Sequence, residues 1–157
     1  VAGLNAPMNG PIGQTVMLKL LRLGIILLLT FGWGAYTAAA ENDATRQAQA
    51  AAKSWLTLVD AGQYGQSWDK ASLLFRSAVM RSEWERAAKA TRAPLGALQS
   101  RTLKSATFTR SLPGAPDGEY VVIQFDSQFA NKAAAVETVT PMRDRDGVWR
   151  VSGYFIQ

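Results

Sequence analysis

VVIQFDSQF, residues 121–129, decides the fold. Val121, Ile123, Phe125 and Phe129 alternate with Gln124, Asp126 and Gln128, the period of two that turns one set of side chains inward and the other to water. Turn-forming sequence brackets this strand, with Pro113-Gly114-Ala115-Pro116-Asp117-Gly118 before it and Ala130-Asn131-Lys132 after it. Residues 101–112 carry Leu103, Thr107, Phe108 and Thr109, β-favouring chemistry with imperfect alternation. A third strand is expected from about Ala134 to Arg143, and Asp146-Gly147 turns it into a fourth, Val148 to Ile156. There Trp149, Val151 and Phe155 are expected on one face, with Arg150, Ser152 and Tyr154 on the other. Four successive strands joined by turns predict an antiparallel meander.

The period changes upstream. Ala44, Ala48, Ala51, Trp55 and Leu58 recur at steps of three and four, one face of an amphipathic helix that Gly62 ends. A second helix is expected from Tyr64 to Phe75, with Tyr64, Trp68, Ala71 and Phe75 on one face. A third is expected from Ser82, whose hydroxyl and Glu85 three residues on form a capping box. It places Trp84 and Ala88 inward and stops before Pro94. Three N-terminal helices packed on one face of a four-stranded antiparallel sheet make an α+β domain. Trp55, Trp68, Trp84 and Trp149 are expected to fill the space between the layers. No repeat and no internal linker interrupts the pattern.

Met17 to Ala40 has the form of an export signal. Lys19 and Arg22 precede an apolar run from Leu23 to Trp33, which closes on Ala38-Ala39-Ala40 before Glu41. Gly32 and Gly34 interrupt the run short of the roughly 20 apolar residues that a membrane span needs, so cleavage after Ala40 is expected over a retained anchor. Residues 1–16 are an upstream extension or a start-site overcall, with no apolar period and no charge. Residues 41–157 suit one domain, with 15 basic residues against 12 acidic ones, a net charge of +3. That balance, with the basic residues scattered, argues against a nucleic-acid partner. The chain has no cysteine, so no lipid anchor is expected at the leader. The expected product is periplasmic and free of the membrane after cleavage.

Several stretches resemble a known family. They are Ala93-Pro94-Leu95-Gly96, the turn from Pro113 to Tyr120, the run Phe129-Ala130-Asn131-Lys132 with Glu137-Thr138-Val139-Thr140, and the ending from Asp146 to Tyr154. The chain from about Ala48 to Ile156 is similar to an uncharacterised family of exported bacterial proteins, the domain of unknown function DUF4019. The resemblance implies a small cone similar to the cystatin-like or nuclear-transport-factor-like superfold. It implies no activity, cofactor or catalytic residue.

The chemistry on offer is narrow. With no histidine and no cysteine, zinc sites on those ligands, cysteine nucleophiles and the usual base for a serine nucleophile are missing. Asp144-Arg145-Asp146-Gly147 begins like a calcium loop but runs into Val148-Trp149, so a hairpin turn is expected there and no metal. No cofactor motif appears.

Glu137 is the exception. If Asp144 pairs with Val148 in the last hairpin and Phe129 with Ala133 in the preceding one, Glu137 lies opposite both Phe155 and Phe125, pointing inward. A slip of one residue in either hairpin would turn it to solvent. A buried carboxylate needs a cation, and Arg76, Arg92 and Arg101 are the supply. Inward, it forms either a structural ion pair or the acid–base group of a small-molecule enzyme. The expectation favours a non-enzymatic binding or accessory domain, whose uncovered sheet face, with Tyr120, Val122, Arg150 and Tyr154, meets a protein partner or a second copy of the chain.

Overall fold

The structure, a computed structural model, describes residues 38–157. The expected upstream extension and nearly all of the leader lie outside the described residues.

Helix α1 covers residues 38–60. Its buried face is Ala48, Ala52, Trp55, Leu56 and Val59, rotated from the expected face so that Leu56 and Val59 enter the core. Ala44 and Ala51 pack at its margin, and Leu58 is half-buried.

The expected second helix is two helices, α2 (Tyr64–Lys70) and α3 (Leu73–Ala78). Ala71 and Ser72 between them are extended. The Ser72 hydroxyl accepts from the Phe75 amide at 3.1 Å and caps α3, while the Ser72 amide donates to the Val151 carbonyl at 2.9 Å. The break therefore ties the helical layer to the last strand, and both Ala71 and Phe75 stay buried.

Helix α4 spans Arg81–Arg92 and starts earlier than its expected Ser82 cap. Glu83, rather than Glu85, reaches back to accept the Met80 amide at 3.2 Å. Val79 is already fixed, because its carbonyl accepts the Trp68 indole N–H at 2.8 Å. Glu85 pairs instead with Arg81. After Arg92 the chain tightens into a single 3-10 turn, Ala93–Leu95, that takes in Pro94. Gly96 follows with φ 75°, and a Cβ there would lie 3.0 Å from the Ala130 Cβ. Only glycine combines that backbone with that approach.

Four strands complete the domain in the order β1-β2-β3-β4, all antiparallel: β1 (Leu98–Thr109), β2 (Tyr120–Phe129), β3 (Lys132–Arg143) and β4 (Trp149–Ile156). The meander is the one that the period of two predicts. Val121, Ile123, Phe125 and Phe129 are all buried. Bulges break the register in each hairpin. β1 carries two, between Leu98 and Ser100 and between Leu103 and Ser105. One near Ser127 and Phe129 sets Phe129 against Lys132 rather than Ala133, yet Phe125 still faces Glu137.

The fourth lies where Thr140 and Pro141 meet Val151 and Gly153. Pro141 has no N–H for the ladder, and the Ser152 hydroxyl donates to the Thr140 carbonyl at 2.7 Å beside it. This extra residue reverses the faces of β4 beyond it. Glu137 pairs with Ile156, Phe155 is 55 % exposed, and Tyr154 turns inward. The expected inward Phe155 and outward Tyr154 are thus exchanged.

Trp55, Trp84 and Trp149 are buried where the layers meet, and Trp68 packs at the edge of the same cluster. Trp55 and Trp84 lie 5.6 Å apart between ring centroids, and Trp84 meets Phe75 edge-on at 5.1 Å. Their N–H groups are used: Trp55 donates to the Ser67 carbonyl and Trp84 to the Ser67 hydroxyl. Among the described residues no helix is long and apolar enough to cross a membrane.

Candidate functional site

Glu137 is fully buried on the inner face of β3. Arg92, the last residue of α4, and Arg101, near the start of β1, converge on it, as does Asp60 at the end of α1. Arg101 spans both carboxylates. Its Nε and Nη2 donate to Glu137 at 2.6 and 3.0 Å, and its Nη1 and Nη2 to Asp60 at 2.7 and 2.9 Å. Arg92 closes the ring, donating from Nη1 to Glu137 at 2.9 Å and from Nη2 to Asp60 at 2.6 Å. Its guanidinium carbon sits 4.5 Å from the centre of the Phe129 ring, a further favourable contact for a desolvated cation.

Two hydroxyls finish the shell. Ser127 donates to Glu137 Oε2 at 2.6 Å and Tyr154 to Oε1 at 2.7 Å. Glu137 therefore accepts five hydrogen bonds, and the ring carries two positive and two negative charges. Paired forks of this kind are what makes a buried charge tolerable. Burial by itself would make Arg101 easier to deprotonate, but its bonds to Asp60 and Glu137 and their charges outweigh that and hold its pKa above the usual arginine value. Tyr154 is pushed above the ordinary tyrosine value, first by burial and then by the charge and hydrogen bond of Glu137.

The candidates from the sequence divide clearly. Glu137, Arg92 and Arg101 come together, and Arg76 does not join them. Asp60, Ser127 and Tyr154 were not anticipated in the ring. Ser127 left a visible signal, being the one polar residue at an inward position of β2. Asp60 left none, since a charged residue beside Gly62 reads as a solvated helix end. The expected outer face of Tyr120, Val122, Arg150 and Tyr154 does not form as such. Tyr120 is 1 % exposed, with its ring against Gly118 and its hydroxyl donating to the Pro116 carbonyl at 2.7 Å. Burial first, then the charge of Asp117, raises its pKa. Tyr154 lies inside. Val122 stays on the outer face, half-buried. Arg150 is held by Asp144 and Asp146 at 3.0 and 2.8 Å.

That last cluster is the hairpin turn expected over Asp144–Gly147. The Asp144 amide donates to the Val148 carbonyl, the Gly147 amide donates to the Asp144 carbonyl, and Gly147 has φ 81°. The Arg150 fork, with help from the Val148 amide, lowers the Asp146 pKa to about 2.

Arg76 lies elsewhere, at the end of α3, where it helps line an open groove of about 1370 Å³. The groove runs between the α1–α3 layer and the β3–β4 hairpin, with Leu58, Leu73, Leu74, Val148 and Trp149 among its apolar walls. Arg76 Nε is enclosed without an acceptor, alone in this among the buried side-chain nitrogens and oxygens of the described residues. An unmet donor of this kind costs about 1–3 kcal/mol.

Comparison with curated proteins and with solved structures returns no match. The family described as "Protein of unknown function (DUF4019)" matches residues 51–154, from the middle of α1 to Tyr154 in β4. That span contains the whole Asp60–Arg92–Arg101–Glu137 ring together with the groove. The chain belongs to the DUF4019 family.

Proposed function

We propose that the chain is exported to the bacterial periplasm and that residues 41–157 serve there as a non-enzymatic binding or accessory domain of the cell envelope. The positive start at Lys19 and Arg22, the apolar run and the Ala38-Ala39-Ala40 end support export. One observation carries the choice of binding over catalysis: the interior carboxylate is sealed, while the large open concavity lies elsewhere. Glu137 has no exposed surface, and both its oxygens are occupied by Arg92, Arg101, Ser127 and Tyr154. A general acid or base must reach its substrate, and this carboxylate faces only its own partners. The groove, by contrast, offers exposed Leu73 and Val148 beside charged groups, the mixed surface of a recognition site.

Two measurements on the full chain, expressed with its leader in a bacterium, test this. The protein is expected in the periplasmic fraction with Glu41 as its first residue. A photo-crosslinking side chain placed at Leu73 is expected to give defined adducts in living cells, and one at Phe155 on the opposite sheet face is not. Retention in the cytoplasm defeats the export proposal. Adducts at Phe155 and none at Leu73 defeat the groove as the binding surface.

A further inference from the structure

The chemistry of the groove specifies what it takes. Its lining includes nine charged side chains, and most are committed to each other or to neighbours. Arg150 is held by Asp144 and Asp146, Arg143 pairs with Glu119, and Asp69 pairs with Arg81. Of the rest, Lys70, Arg76 and Arg145 have no carboxylate partner among the described residues, against a single uncommitted anion, Asp117. The uncommitted balance is three cations to one anion. Arg76 is the central case, because its Nε also lacks any acceptor. A buried donor left unmet in an otherwise satisfied domain calls for an explanation, and the half-buried side chain that carries it lines the groove. Leu73 and Val148, 60 % and 47 % exposed, flank the groove from its helical and hairpin sides.

We propose that this groove binds a short segment of another protein in which an acidic residue sits among apolar ones, the carboxylate paired with Arg76 and the apolar side chains lodged against Leu73 and Val148. The inference rests on the binding reading above and names its ligand. Charge selects an anion, and the planar fork of arginine matches a carboxylate bidentately. The volume, about 1370 Å³, exceeds the roughly 300–1,000 Å³ of pockets that enclose small molecules, which suits a segment of polypeptide better than a small molecule. Lys70 and Arg145 add attraction and speed encounter more than they fix geometry.

The test is selection of short random peptides on the immobilised full chain, followed by fluorescence anisotropy with a fluorescein-labelled winner. Selected sequences are expected to share Asp or Glu next to Leu, Ile or Phe. Changing the acid of the peptide to its amide, or Arg76→Met in the protein, is expected to weaken binding about tenfold or more. The two changes are expected not to add, because each removes the same pair. Should Arg76→Met fail to fold by circular dichroism, the exposed pair Lys70→Met and Arg145→Met must still weaken binding and flatten its salt dependence. Winners without an acid, or an Arg76→Met protein that still tells acid from amide, overturn the ligand assignment while leaving the groove a binding surface. Failure to select any peptide also overturns the ligand assignment, and leaves the crosslinking at Leu73 to judge the binding reading by itself.

Discussion

Glu137 shows how one residue can be legible in a sequence while its neighbours are not. Strand parity points it inward on condition that both hairpins keep register, and bulges in the two hairpins preserve that direction. Its need for a cation followed from desolvation, which brought Arg76, Arg92 and Arg101 into view. The sequence carried no information on which helix end would lie over β3, so Asp60 stayed hidden and Arg76 was counted among the cations although it lies elsewhere. Removing one member of such a ring leaves charges uncompensated, and Glu137→Gln is expected to cost about 3–5 kcal/mol in urea unfolding. By comparison, Asp43→Asn, which breaks the exposed pair with Arg46, should change stability by less than about 0.5 kcal/mol. Equal effects would mean that the ring is not the strong element of the domain. Tyr154 adds a pH test. Its pKa is raised by folding above the ordinary 10.0, so its contribution is complete below about pH 10 and is lost as pH rises towards the folded value. Stability should therefore fall with pH above about 10, and Tyr154→Phe should flatten that slope by up to one proton. A slope unchanged in Tyr154→Phe would assign the alkaline transition to another group, with Tyr120 the next candidate.

At the level of elements, the strands were plain from alternation and turn residues, whereas helix ends and bulges were not. Both kinds of miss have the same cause, a local signal overridden by a distant bond. Ser72 reads as an interior position of an amphipathic run until the Val151 carbonyl takes its amide. Ser82-x-x-Glu85 and Met80-x-x-Glu83 offer competing starts for α4, and the Trp68 bond to Val79 favours the earlier one. Pro141 was visible, but the reversal of β4 that accompanies it was not, and this exchanged Tyr154 with Phe155. Gly96 controls the turn that brings Arg92 and Arg101 together. Gly96→Ala imposes a left-handed backbone on a residue with a side chain and crowds Ala130, for an expected loss of about 1–3 kcal/mol. Loss of the Ser72 cap in Ser72→Ala should cost about 0.5–2 kcal/mol. Thermal melts of the two variants rank these elements, and a neutral Gly96→Ala would show that the turn relaxes around the new methyl.

Across the whole molecule, the ring joins α1, α4, β1 and β3 directly, and β2 and β4 through Ser127 and Tyr154. Helical and sheet layers so joined are expected to unfold together. Far-ultraviolet circular dichroism and tryptophan fluorescence should give coincident urea transitions, and Glu137→Gln should lower the shared midpoint without separating them. Separate transitions would mean that the aromatic packing, not the ring, holds each layer by itself. The outermost strand carries a different consequence. β1 is twelve residues long and paired on one side only, a geometry that invites hydrogen bonding by a stranger's backbone. Its two bulges bend the free row of amides and carbonyls out of line, and Lys104 sits at the second of them. The interruptions shorten the straight template that this border offers to another chain's backbone.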